Sequence, residues 1–160
     1  MTIEINGVAH VYITVQDLPR CRPFYGALLP FLGMVCLVDT DQLYYCIGGR
    51  TGIGIRAAGG AHRNTAFDAL RAGLHHLCLR ARSRADVDAV GAFVAVHGAR
   101  VVHPPRVDDW APGYYSVLFE DPCGTRLEVN FVPGKGHLEP GAKPPLDDRL
   151  QADLSDARID

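Results

Sequence analysis

Two adjacent histidines, His75 and His76, stand in the segment GLHHLCLRA, residues 73–81. Apolar and polar residues alternate along it as in a half-buried strand, so a side-chain period of two sends the pair to opposite faces. A buried imidazole is costly without a partner, so at least one of them should have a task. The same pattern with one histidine occurs near the start of the chain, in VAHVYITV at residues 8–15. Aligned on phase, His76 corresponds to His10 and His75 to Ala9. A third residue is also out of place. Glu128, one of only four glutamates, sits between Leu127 and Val129 in GTRLEVNF, in phase with Arg126 and Asn130. Two neutral imidazoles and a carboxylate form a donor set that holds a divalent metal ion and leaves open positions. His10, His76 and Glu128 are therefore the candidate metal ligands, for one ion drawn from Fe, Mn, Zn, Ni or Co. Taken singly, each has a plainer reading: a hydrogen-bonded strand histidine, or Glu128 paired with Arg126 or Arg80. The matched phase across the chain favours the joint reading.

The elements around these residues repeat. After the first strand, DLPRCRPFYGALLPFLGM (17–34) has helical spacing in Phe24, Leu28, Phe31 and Leu32, with Pro23 early and Gly33 at its stop. After the second, SRADVDAVGAFVAVHGAR (83–100) offers Ser83 as N-cap, Asp86 as its acidic partner, Val87, Val90, Phe93 and Val94 as a buried stripe, and Gly98 as stop. Three short strands follow each helix: 34–38, 43–47 and 52–56, then 100–103, 114–119 and 126–131. Each half thus reads β-α-β-β-β. The expected fold is α+β, two such modules forming a curved eight-stranded mixed sheet around a cavity, with helices on the convex side. His75 is expected against the helix layer. The boundaries are one domain over 1–133, made of module one (7–57), a linker (58–73) and module two (74–133), then a polar Pro/Gly-rich tail at 134–160.

Composition narrows the partners. Apolar residues make up 48% and charged residues 21%, as in a globular domain. A net charge of −2 argues against nucleic acid as a partner, and no apolar run reaches the length of a membrane helix. Five scattered cysteines without a C-x-x-C pair, and an N-terminus unlike a signal peptide, point to reduced thiols in the cytoplasm. Tyr12, Thr14, Arg56, Arg80 and Asn130 share the inward phase and are candidate substrate contacts. The loop HPPRVDDWAPGYY (103–115) is a candidate lid, with Trp110 and either Tyr114 or Tyr115 closing an apolar wall.

On VAHVYITVQDLPRCRPFYGALLPFLGM, GLHHLCLRA and YYSVLFEDPCGTRLEVNF the chain resembles the glyoxalase/bleomycin-resistance/dioxygenase, or vicinal oxygen chelate, superfamily over residues 7–132. In its metal-dependent members the first and last strands of each module supply ligands, which again implicates His10, His76 and Glu128. The fourth such position falls on Gly54 in TGIGIRA, where glyoxalase I usually has a carboxylate or glutamine. Three ligands with open sites are more similar to the fosfomycin-resistance enzymes and the dioxygenases. The resemblance implies a homodimer and a small oxygenated substrate chelated through vicinal oxygens, in a glyoxalase-like lyase or isomerase, a dioxygenase or a thiol transferase. The alternative it leaves is a metal-free, non-catalytic drug-binding protein of the bleomycin-resistance type.

Overall fold

A computed structural model describes residues 2–5 and 7–135. The tail expected at 134–160 lies, from residue 136 on, outside the described residues. The described residues divide into two compact units: those up to Phe67 together with Asp121–Thr125, and Asp68–Glu120 together with residues 126–135.

The first unit holds β1 (His10–Val15), α1 (Leu18–Phe31), β2 (Val35–Asp39), β3 (Leu43–Gly48) and β4 (Thr51–Ala57), followed by a 3₁₀ turn at Gly60–His62. Its sheet has the order β1-β4-β3-β2, with β1 and β4 parallel and the rest antiparallel. Asp17 caps α1 by accepting from the Arg20 amide at 3.0 Å. The helix begins at Leu18, so Pro19 takes the place in the first turn that a proline tolerates. Pro23 lies a turn further in than the spacing suggested. Gly33, at φ +78°, ends the helix as expected. The buried stripe is Leu18, Cys21, Phe24, Tyr25, Leu28 and Leu29, whereas Phe31 faces solvent. The stripe packs toward β4 and β2.

The second unit holds β5 (Leu77–Arg80), α2 (Arg84–Val96), β6 (Arg100–Val107), β7 (Tyr115–Glu120) and β8 (Arg126–Phe131). The order is β5-β8-β7-β6, again with the first and last strands parallel. The eight strands are thus shared between two four-stranded sheets, one per β-α-β-β-β module. Ser83 accepts from the Asp86 amide at 3.1 Å, while its hydroxyl donates to the Asp86 carboxylate at 2.8 Å. Val87, Val90 and Val94 are buried, and α2 lies across β6, β7 and β8. Phe93 is only half-buried and stacks on the His97 ring at 3.7 Å.

Two boundaries differ from expectation for physical reasons. β6 runs through Pro104 and Pro105 to Val107, which shortens the candidate lid to the stretch between Val107 and Tyr115. An edge strand needs no amide donors on its outer side, so prolines are tolerated there. β5 begins at Leu77, where pairing with Leu127 starts, so His75 and His76 lie just ahead of the strand. Among the described residues no helix is long and apolar enough to cross a membrane.

Candidate metal centre

The parallel register of β5 on β8 puts Cys78 opposite Glu128 and Arg80 opposite Asn130. Glu128 sits mid-strand, 7% exposed, between the core residues Leu127 and Val129. Its carboxylate accepts from two sides. His76 Nε2 lies 3.0 Å from Oε2, and the Tyr114 hydroxyl donates to Oε1 at 2.6 Å. Burial by itself would push this carboxyl up, but the contacts from His76 and Tyr114 outweigh it and hold Glu128 down at about 2. The Ser116 hydroxyl, close to the carboxylate, adds a smaller pull in the same direction. It is 1% exposed and makes no hydrogen bond of ordinary geometry. Burial first, then the bond to Glu128, raise Tyr114 above the usual phenol value, so it stays a donor.

Arg126 does not neutralise Glu128: it reaches Glu120 at 3.3 Å, as does Arg100 at 2.7 Å. Tyr114 rather than Tyr115 faces the centre, since Tyr115 donates to Asp88 at 2.7 Å and lies under Arg84. His75 is exposed instead of lying against the helix layer, because pairing has not yet begun at its position. Its Nδ1 lies 2.7 Å from Nδ1 of His76, a distance at which the two nitrogens share one proton. When His76 carries that proton, its Nε2 keeps a lone pair, as ligation requires. When His75 carries it, Nε2–H of His76 donates to Glu128.

The donor set fits a divalent ion. Two ligand atoms in neighbouring positions around an ion at about 2.1 Å lie roughly 3 Å apart, which is the observed Nε2–Oε2 separation. The carboxylate is already ionised, and the His76 ring is oriented through its other nitrogen. Cys78 was missed by sequence reasoning, although its phase with His76 was visible. Its thiol occupies the strand position directly beside Glu128.

The first unit is built differently at the matching positions. Tyr12 pairs with Gly54 and His10 with Gly52. A Cβ at Gly54 would come 2.6 Å from the Tyr12 ring, and one at Gly52 would meet the Tyr45 hydroxyl. The glycines therefore let two rings lie flat on the sheet. Tyr12 and Tyr45 stack at 5.8 Å, and His10 meets Tyr12 edge-on at 5.7 Å. Tyr12 is 50% exposed, and His10, Thr14 and Arg56 are exposed on the same strands. Trp110 is half-buried in the loop before β7, and Asn130 is half-buried two residues beyond Glu128. A cleft of about 670 Å³ in the first unit, with Asp17, Gln42, Arg63 and Asn64 in its wall, includes none of the candidate residues.

Comparison with known proteins agrees with this architecture. The model of the Glyoxalase/Bleomycin resistance protein/Dioxygenase superfamily matches residues 7–129, and the chain belongs to that superfamily. A glyoxylase/bleomycin resistance protein/dioxygenase domain from Frankia is 27% identical, with a TM-score of 0.63 over 80% of this chain and 98% of that one. A glyoxalase/bleomycin resistance protein from Albidiferax ferrireducens is 24% identical (TM-score 0.62, 78% and 98% covered). Lactoylglutathione lyase from Agrobacterium tumefaciens is 21% identical (TM-score 0.58, 79% and 94% covered). No curated protein matches the chain.

Proposed function

We propose that the protein is a divalent-metal-dependent enzyme of this superfamily, acting on a small oxygenated substrate held through two neighbouring oxygens. The observation that supports it is the 3.0 Å approach of His76 Nε2 to a buried, ionised Glu128. His10, on the first strand of the other module, is the third ligand in this reading. The bound ion, one of Fe, Mn, Zn, Ni or Co, supplies Lewis acidity toward substrate oxygens. The residues do the rest. Glu128 brings the negative charge that offsets a dication, and Tyr114 fixes its orientation by donating to Oε1. His75 holds the His76 ring from behind. Arg80 and Asn130, paired across β5 and β8, are the proposed substrate contacts in this module, together with Trp110 from the loop between β6 and β7. Gly54 offers no group to move a proton, which favours a dioxygenase or thiol transferase over a glutathione-linked glyoxalase reaction. In this reading the protein works in the cytoplasm as a homodimer.

The stacked Tyr12–Tyr45 pair favours one other reading, a metal-free drug-binding protein that takes planar ligands on that surface. Elemental analysis of protein purified without chelator or His-tag separates the two. About one equivalent of a divalent metal per chain, lost in Glu128→Ala, supports the enzyme. Protein that takes up none of the five ions supports the binder.

A further inference from the structure

Away from the His76–Glu128 centre, the first unit buries a second group of reactive side chains. Cys21 on α1 is 0% exposed and Cys123, in the turn between β7 and β8, is 7% exposed. They are 102 residues apart in sequence, yet their sulfurs lie 2.6 Å apart, well inside the roughly 3.6 Å of an ordinary contact between unbonded sulfurs. The Cys123 thiol donates to the Asp17 carbonyl at 3.5 Å, which ties it to the start of the same helix. The surroundings keep the sulfurs in place. Asp121 Oδ1 accepts from the amides of Cys123 and Thr125 at 2.8 Å each, and Oδ2 accepts from the Tyr25 hydroxyl at 2.7 Å.

The three donors Cys21, Asp121 and Cys123 lie within 4.8 Å of one another, close enough to raise the question of a metal ion. Two features speak against one. Both Asp121 oxygens are already engaged by protein donors, and the sulfurs are closer than two thiolates sharing an ion at about 2.3 Å would be, since tetrahedral geometry spreads them to nearly 4 Å.

We propose that Cys21 and Cys123 are a modification site, a thiol pair that hydrogen peroxide converts to a disulfide. Cys123, the less buried sulfur, attacks the peroxide oxygen, giving a sulfenic acid and one water. Cys21 then attacks that sulfur, forming the S–S bond and releasing a second water. Two thiol hydrogens leave in the waters and two electrons pass to the peroxide. Burial pushes the Cys21 thiol far above its ordinary value, which argues against Cys21 as the sulfur that meets the peroxide first. The bond would fasten α1, through Cys123, to the turn from which β8 sets off, five residues ahead of Glu128.

The test uses the full chain, reduced and then exposed to hydrogen peroxide, with alkylation under denaturing conditions and intact-mass analysis. The expected result is a loss of 2 Da, two of five thiols protected, and a cross-linked peptide joining Cys21 to Cys123. A chain with Cys36, Cys46 and Cys78 all changed to Ser should behave in the same way. Oxidation should raise Tm by on the order of 5–10 °C, reversibly with dithiothreitol, because a long loop is closed. Cys21→Ala should abolish the shift. Five alkylated thiols after oxidation, or pairing through Cys36, Cys46 or Cys78, would overturn the proposal. So would zinc retained through this pair, lost in Cys123→Ala and kept in Glu128→Ala.

Discussion

The two modules have the same strand order and the same parallel pairing of first and last strands, yet the equivalent position carries Gly54 in one and Glu128 in the other. Around Glu128 the second module gathers an imidazole and a phenol that hold a carboxylate ionised. Around Gly54 the first module lays down Tyr12 and Tyr45. A glycine at this place removes a charge and also makes room for rings that a side chain there would displace. One backbone plan thus supports both a polar centre, built on a buried carboxylate, and an aromatic surface, and a few residues choose between them.

The buried acids show the same contrast on a smaller scale. Asp121 accepts three hydrogen bonds, but burial outweighs them and its carboxyl titrates above the usual value. Glu128 is held below the usual value by an imidazole and a phenol. Backbone amides cap the Asp121 turn, whereas an imidazole and a phenol face Glu128.

Changes at the polar centre should have the largest effects. Glu128→Ala should lower affinity for the bound divalent ion by about 100-fold or more, while Gly54→Ala should leave it unchanged; isothermal titration with Zn²⁺ or Mn²⁺ compares them. Equal losses in both would break the comparison. His76→Ala should cost about 2–3 kcal/mol in urea unfolding, reduced from the fully buried case because the His76 side chain is 33% exposed. Gly54→Glu should cost roughly 1–3 kcal/mol, because its Cβ meets the Tyr12 ring. Adding Tyr12→Ala should return most of that, and a double-mutant cycle without coupling would remove the packing argument. Tyr114→Phe should cost about 1.5–2 kcal/mol and raise the Glu128 titration followed by NMR.

The smallest expected effect is in pH dependence. A carboxyl raised on folding binds its proton more tightly in the native state. The contribution of Asp121 therefore falls as pH rises from its ordinary value, near 3.8, to its raised one. The urea midpoint followed from pH 3 to 6 should show this slope, and Asp121→Asn should lack it.

Much of the fold was legible because strand and helix periods are local properties. The alternation in 126–131 gave β8 with its boundaries, and the alternations around His10 and His76 gave the parallel partners of β4 and β8. Ser83 with Asp86, Gly33 and Gly98 marked helix ends through backbone chemistry that belongs to those residues. Where local pattern and pairing diverged, the reading slipped. Prolines 104 and 105 looked like loop because the edge position of β6 lies in the sheet, not in the residues. His75 looked buried because strand pairing, which starts at Leu77, cannot be seen from alternation alone.

The sequence by itself determined the repeat, the superfamily and the phase that singles out His10, His76 and Glu128, since a period of two fixes which residues share a face. Tertiary structure alone decided who meets whom. It sent Arg126 to Glu120 and left Glu128 to His76 and Tyr114. It chose Tyr114 over Tyr115 and laid Tyr12 on Gly54. It brought Cys21 to Cys123 across 102 residues. Partner choice among several chemically eligible groups depends on distances set by packing, which local sequence does not encode.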